Sequence, residues 1–319
     1  MRKLILPLVI ILIAIFLIGK GFWDSQLTAV SDKKETEVFV VDKGESFSSI
    51  AENLKKENLI KSTFIFTTFA KQKGLADKVL AGTFRLSPSY SSEEILKVLT
   101  DQPLDNWVTL IEGWRVEEMA SKLNASLGIN EKEFIKLAKE GYMFPDTYLF
   151  PKDYSAEQIA KRLRDTFDQK YSDDLKSKIK NLGLTEAQGV ILASIVEREG
   201  RSSKVREEIA GILLKRLNIN MGLNADATLQ YALGYQSSEK SWWKRHLTKD
   251  DKKIDSPYNS YLYRGLPPKP ICNPSLASLT AVANANPNTP YLYYYHDSQG
   301  NSHYGRTLEE HLSNVANNP

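Results

Sequence analysis

No polar side chain interrupts the chain from Leu4 to Gly19; Arg2 and Lys3 precede this run, and Lys20, Phe22 and Trp23 follow it. A helix that is apolar on every side has no face to offer water, so it belongs in lipid or in a protein core. At about 1.5 Å per residue the run gives roughly 24–30 Å of helix, enough to cross a hydrocarbon layer. A secretory signal peptide is similarly apolar, but it ends in a small-x-small cleavage site. Here Phe22 and Trp23 occupy that place and suit an interfacial anchor. Residues 1–23 are therefore expected to be a cytoplasmic tip and a retained anchor, with residues 4–23 in the membrane. Arg2 and Lys3 hold the N-terminus in the cytoplasm, which predicts a single-pass protein of the cell membrane with an extracytoplasmic body. Residues 24–36, mostly polar, are expected to be a tether.

The full chain of 319 residues, 42% hydrophobic and 25% charged, is long enough for two domains with separate cores. Its 42 Lys and Arg against 39 Asp and Glu are dispersed, so the net charge of +3 builds no nucleic-acid-binding patch. One cysteine, Cys272, forms no internal disulfide, and four histidines without a shared helical spacing make no metal site. No metal or cofactor is expected.

From Val38 an alternating β-branched strand turns at Lys43-Gly44 into an amphipathic helix through Ile50 and Leu54. A helix with Phe64, Phe66 and Phe69 follows, then the strand AGTFRLSP, then SSEEILKVLT, where Ser91 and Glu94 form a capping box. This order predicts a small α+β module over residues 37–104. NWVTLIEGW (106–114) reads as a further strand, and the remainder of 105–319 as a larger, mainly helical domain. Capping boxes are expected at Asn130 with Glu133, Ser155 with Gln158, Thr185 with Gln188 and Thr307 with Glu310. A Pro/Tyr/Asn-rich stretch from Asp255 to Pro290 reads as a long ordered loop, the kind that usually carries function. Trp242 and Trp243 read as an exposed loop feature.

The most informative segment is TEAQGVILASIVEREG (185–200), an apolar helix that closes on two glutamates. At 100° per residue Glu197 and Glu199 point about 200° apart, so one cleft can take only one of them. Glu199 shares its face with Leu192, Ile195 and Val196, whereas Glu197 sits beside Ser194, Ala193 and Val190. Apolar neighbours and the negative end of the helix dipole both favour a protonated carboxyl at Glu199. A carboxyl kept protonated near neutral pH is what general-acid cleavage of a glycosidic bond needs, as the buried glutamate of lysozyme illustrates. The alternative is an ordinary helix-end glutamate paired with Arg198, Arg201 or Arg206.

ASIVEREG together with KVREEIAGILLKRLNINMGLNADATLQYALG (204–234), SPYNSYLYRGLPPKPICNPSLASL (256–279) and TPYLYYYHDSQGNSHYGRTLEEH (289–311) resembles the MltG (YceG-like) family of endolytic murein transglycosylases. AGTFRLSP, IEGWRVEEMA and FPDTYLF resemble further segments, and the likeness runs in order over nearly the whole chain. The resemblance implies an N-terminal transmembrane helix, a LysM-like peptidoglycan-binding module and a lysozyme-like catalytic domain with long Pro/Tyr-rich loops. It implies cleavage of glycan strands between N-acetylmuramic acid and N-acetylglucosamine with formation of 1,6-anhydro ends. Glu199, followed by the small Gly200, would act as acid and then base, with Glu197 and Ser194 supporting it. Peptidoglycan strands would be the substrate, with penicillin-binding proteins and divisome or elongasome components as neighbours.

Candidate substrate-binding residues are Asn224, Asp226, Thr228 and Gln230, in a segment that usually reads Leu-Gln-x-Asp-Pro-Thr in that family. Here Asn224 stands for the amide residue and Ala227 for the proline, which puts the stiffness of the loop in question. Asp226 could bind sugar hydroxyls, hold an arginine, or cap a helix starting near Thr228. Tyr258, Asn259 and Tyr261 are of the kind that line sugar subsites, or that pack a loop onto its domain. His303 and His311, with no carboxylate partner in view, read as structural. Two rival functions stay open. One is a muramidase with Glu199 as acid and Asp226 activating water, and the other is a non-catalytic peptidoglycan-binding scaffold. A lyase built on a pyridoxal phosphate lysine fits poorly with export behind an anchor.

Overall fold

A computed structural model of the chain describes the backbone of residues 2–101 and 103–318, and side chains from residue 12 onward within that range. The protein is α+β, mostly helical, with small antiparallel sheets. It divides into two compact units, residues 1–108 with 148–153, and residues 109–147 with 154–319.

The first unit opens with helix α1 (Arg2–Leu27). Its apolar side chains from Leu12 to Phe22 are largely exposed, Ile18 at 73%. Among the described residues no helix is long and apolar enough to cross a membrane, and the first part of the expected anchor falls on residues 1–11, whose side chains lie outside the described residues. The segment expected as a tether is tied down. The Lys61 ammonium donates to the Ser25 carbonyl and to Thr28 Oγ1 at 3.2 and 2.7 Å, and the amides of Val30 and Ser31 both donate to the Pro88 carbonyl.

Strand β1 (Glu37–Val41) turns into helices α2 (Phe47–Lys56) and α3 (Thr63–Gln72), then β2 (Gly82–Leu86), α4 (Ser92–Thr100) and β3 (Asp105–Thr109). The alternation in β1 does what period two requires: Phe39 and Val41 face inward while Val38 and Val40 face out. The antiparallel register pairs Phe39 with Phe84 and Val41 with Gly82. Ile50, Leu54, Phe66, Ile95 and Leu99 complete this core, each such side chain contributing roughly 1.5–3 kcal/mol of burial. Gly82 is required where β3 closes on β2, because a Cβ there would collide with the Asp105 carbonyl. The Ser91–Glu94 capping box forms as expected. The chain returns to this unit at Tyr148–Asp153, and strand β4 (Thr147–Pro151) becomes the outer neighbour of β3. The expected 105–319 domain therefore has part of its sequence in the first unit's sheet, an exchange that local pattern does not reveal.

The second unit packs α5 (Val116–Leu127), α6 (Glu131–Leu137), α7 (Ala156–Lys170), α8 (Asp173–Asn181), α9 (Glu186–Glu199), α10 (Ser203–Asn218), α11 (Asp226–Leu233) and α12 (Leu276–Ala283). Helix α9 is the centre of it. Every residue from Gly189 to Val196 is buried, and α8, α10, α11 and α12 pack around it. Gly189 permits the approach of α8, since a Cβ would meet Ile179. The capping boxes at Ser155–Gln158 and Thr185–Gln188 form in full. Asn130 and Thr307 cap with their side chains only, and the carboxylate of Glu310 reaches the Arg306 amide one residue earlier. The stretch read as a loop to Pro290 contains α12 near its end. Strands β5 (Tyr293–His296) and β6 (Ser302–Gly305) form a hairpin, and α13 (Leu308–Asn317) closes the chain with no buried residue.

Candidate active site

The C-terminal turn of α9 separates its two glutamates as the 100° step requires. Glu197, with a side chain only 4% exposed, accepts from Arg206 Nη2 at 2.9 Å and from the Ser275 amide at 2.7 Å, and Ser275 Oγ bonds the same oxygen. It fastens the end of α9 to the first turn of α10 and the N-cap of α12. Arg206 is thereby taken, and Arg198 lies 3.8 Å over the Trp243 ring. Ser194 works on the same side: its hydroxyl donates to the Ile191 carbonyl and accepts the Ile271 amide, while its carbonyl accepts from the Cys272 thiol. Gly200 follows because α10 comes so close that a Cβ would strike Arg206.

Glu199 points the other way, into a cleft of about 540 Å³. Arg216 from α10, Asn224 and Asp226 at the start of α11, Tyr261 from the long loop, Tyr293, Tyr294 and His296 from β5, and His311 from α13 share that cleft. Burial pushes the Glu199 pKa up to about 7, and the negative charge of Asp226 adds to the rise. The Tyr294 hydroxyl, the Ala227 amide and Arg198 favour the charged form and hold the rise in check. Tyr294 is half-buried as a residue, and the burial of its hydroxyl, followed by the Glu199 charge, drives that group's pKa well up, so it stays a donor.

Arg216 is 5% exposed, with its Nε bonded to the Leu292 carbonyl at 2.7 Å and Nη1 to the Leu223 carbonyl at 2.6 Å. It ties β5 to the segment before α11 and brings a fixed positive charge to the cleft. The Tyr261 hydroxyl donates to Asp226 Oδ1 at 2.6 Å, and the Lys252 ammonium lies 4.3 Å from the Tyr261 ring. Tyr293 stacks on His311 with centroids 5.4 Å apart.

The residues expected at the site thus divide. Asn224, Asp226 and Tyr261 line the cleft with Glu199. Asp226 is the first residue of α11, whose cap position is Ala225, so the capping role does not apply. Thr228 and Asn259 are fully buried and cannot touch a ligand in this conformation. Thr228 Oγ1 donates to the Ala225 carbonyl and bonds Ser260, whose hydroxyl accepts the Ala225 amide. These bonds stiffen the loop where the usual proline is missing. Asn259 holds the long loop, donating to the carbonyls of Lys252 and Ile254 and accepting the Tyr261 amide. Gln230 donates to the Lys244 carbonyl, and Tyr258 packs on Tyr231 at 4.8 Å, away from Glu199. His303 does have a carboxylate partner, Asp297 at 2.9 Å. Trp243 is buried, its indole N–H donating to Glu118 Oε2 at 3.0 Å, which corrects the expectation of an exposed tryptophan pair. Sequence reasoning missed Tyr294 and Arg216; the only signal was an arginine inside the apolar run ILLKRL.

An apolar helix ending in a half-hidden carboxyl, at the floor of a tyrosine-walled cleft, is the arrangement of an acid-base enzyme. Residues 39–317 match the YceG-like family, and the chain belongs to that family. It is 31% identical to the endolytic murein transglycosylase of Bacillus subtilis strain 168 over 93% of this chain and 88% of that protein. With the protein of the same description from Streptococcus pneumoniae strain D39 it shares 29% identity, over 92% of this chain. The chain spans only 60% of the length of that pneumococcal relative. The crystal structure of a yceG-like protein from Listeria monocytogenes is similar in fold, with a TM-score of 0.63 and 25% identity over 88% of this chain and 99% of that one.

Proposed function

We propose that this chain is an endolytic murein transglycosylase that cuts the β-1,4 bond between N-acetylmuramic acid and N-acetylglucosamine and so ends the elongation of nascent strands. The observation that carries this reading is the position of the Glu199 carboxyl in the cleft with Asp226 and Tyr294, where burial pushes its pKa up to about 7. The descriptions of the relatives from B. subtilis and S. pneumoniae support it. Protonated Glu199 gives its proton to the glycosidic oxygen as the bond to C1 breaks. The carboxylate then takes the proton of the muramoyl C6 hydroxyl, whose oxygen closes on C1 of the same sugar to give the 1,6-anhydro end. Because the nucleophile belongs to the substrate, neither a bound water nor a second base is needed. The Asp226 carboxylate offsets positive charge developing at C1, and the Tyr294 hydroxyl steadies Glu199 in its anionic phase.

The rival muramidase would need Asp226 as the base for water. Its Oδ1 already accepts the Tyr261 hydroxyl at 2.6 Å, which occupies an acceptor position that an attacking water would need. Mass spectrometry of digested strands separates the two: anhydro ends are expected, and reducing ends would overturn the transglycosylase reading. Binding of strands without any cleavage would favour the scaffold.

In the same reading residues 4–23 anchor the chain in the cell membrane with the N-terminus cytoplasmic, and residues 37–104 form a LysM-like module that engages glycan. Penicillin-binding proteins and other components of the wall-synthesis machinery are its expected neighbours. A chain lacking residues 1–23 should still cut purified strands yet lose its effect on strand length in cells; equal effect in both settings would remove the anchor from the account.

A further inference from the structure

A second cavity, of about 670 Å³, opens in the same unit and is unused by the chemistry above. Part of its wall is aromatic and apolar: Tyr231 and Tyr258 pack together, and Tyr142, Ile191 and the prolines flanking Lys269 add to it. Three exposed lysines, Lys136, Lys139 and Lys269, stand around it. Among the described residues none of the three is in an ion pair. Lys139 lies 4.3 Å from the Tyr142 ring, which fixes its ammonium at the wall.

Two carboxyl groups also line the cavity, and neither opposes the lysines. Glu117 is paired with Arg115. Glu140 accepts Asn273 Nδ2 at 2.9 Å and the Val116 amide at 3.3 Å, and burial followed by the charge of Glu117 lifts its pKa to about 8, so it is mostly neutral at pH 7. The result is an aromatic hollow with a cationic rim, suited to an anion with an organic body.

The cavity is also linked to the Glu199 cleft through shared elements. Helix α11 gives Asp226 to the cleft and Tyr231 to the cavity, and the long loop gives Tyr261 to the cleft and Tyr258 to the cavity. Three residues of chain span at most about 11 Å between Cα atoms. A ligand here is therefore held by the same helix and loop that carry Asp226 and Tyr261 to the cleft.

We propose that this cavity binds the acidic stem peptide carried by the glycan strand, through its carboxylates on Lys136, Lys139 and Lys269 and its backbone against the tyrosines. The inference rests on the transglycosylase reading for the identity of the peptide, while the site itself rests on shape and charge. A stem peptide is joined to the muramoyl sugar and presents free carboxylates, so one ligand meets both requirements.

The test is a calorimetric titration of the full chain carrying Glu199→Gln with the free peptide N-acetyl-L-Ala-γ-D-Glu-L-Lys-D-Ala. Saturable binding is expected, weakened by at least about tenfold in K136E/K139E/K269E and retained when the three lysines become arginine. The same peptide amidated at both carboxylates should bind unaltered protein at least about tenfold more weakly, an arm that needs no variant to fold. Absence of saturable binding, equal binding by the charge-reversed chain when its fold is intact, or equal binding of the diamide would each overturn the proposal. Binding of poly(glycerol phosphate) with no response to the peptide would overturn it in favour of an anionic polymer. Strand cleavage by the unaltered chain is read separately. Cleavage without peptide binding removes this site alone, and peptide binding without cleavage removes the transglycosylase reading and keeps the site.

Discussion

The two sides of the last turn of α9 hold glutamates two residues apart in opposite conditions. On the core side Glu197 is nearly covered, yet an arginine, an amide and a hydroxyl satisfy it. On the cleft side Glu199 meets Asp226 and a tyrosine hydroxyl, and its pKa rises to about 7. The two carboxyls therefore differ in the groups that face them. What separates the two is whether burial is repaid by cations and donors, as for Glu197, or aggravated by a second anion, as for Glu199. Glu140 shows the weight of the second anion: beside Glu117 its buried carboxyl is raised to about 8, although amide donors reach it.

The sharpest test of this contrast is to neutralise Glu199. Glu199→Gln should lower strand cleavage by roughly 10³-fold or more with the fold intact, as loss of a positioned proton donor requires. The matching change on the core side acts on stability. Glu197→Ala leaves Arg206 unpaired and should cost about 3 kcal/mol in denaturant unfolding, with residual cleavage in the fraction still folded. If Glu197→Ala abolished cleavage at full stability, the two roles would have been exchanged.

A pH profile sharpens the comparison further. Glu199 must start protonated, so cleavage should fall as pH rises through about 7. The same shift affects stability in a defined direction. Because the native carboxyl titrates at about 7 and its ordinary value is 4.5, the folded state binds more protons between these pH values, and stability declines as pH climbs through that window. Glu199→Gln removes the penalty, so it should raise stability by about 1–2 kcal/mol at pH 8, after discounting for solvent contact, and by little near pH 4.

Smaller changes probe the donors that restrain Glu199. Tyr294→Phe removes a hydroxyl that favours the carboxylate, so the fall in the pH profile should move upward by about half a unit, with a severalfold slower rate. Ala227→Pro removes the backbone amide near the same carboxyl while keeping a proline-tolerant first helical turn, and should move the profile upward by only about a few tenths of a unit. A downward movement in either variant would mean that the donor serves the protonated form.

Much of α9 was legible from its residues. The capping box at Thr185, the apolar run and the separation of its glutamates by about 200° are consequences of helical geometry within one turn or two, and they tell Glu199 from Glu197, while the choice of Glu199 as the acid also draws on the family resemblance. The alternative pairing of Glu199 with Arg198, Arg201 or Arg206 is equally local, but Arg206 instead bonds Glu197 and Arg198 lies over the Trp243 ring. Thr228 and Asn259 were chosen as ligand contacts for their chemistry, and only their burial reveals that they hold the loops which carry Asp226 and Tyr261.

By itself, then, the sequence determined an apolar N-terminal run, an α+β module with its capping boxes, a buried helix and the glutamate that faces away from the core side. Each of these depends on side chains within a few residues of one another along the chain. The tertiary structure alone decided that Asp226, Tyr294 and Arg216 converge on that glutamate, that β4 joins the sheet of the first unit, and that a lysine-rimmed cavity shares α11 and the long loop with the cleft. Electrostatic environment is a sum over neighbours in space, and those neighbours come from segments up to 95 residues away, from Glu199 to Tyr294. No periodicity in the sequence encodes that sum.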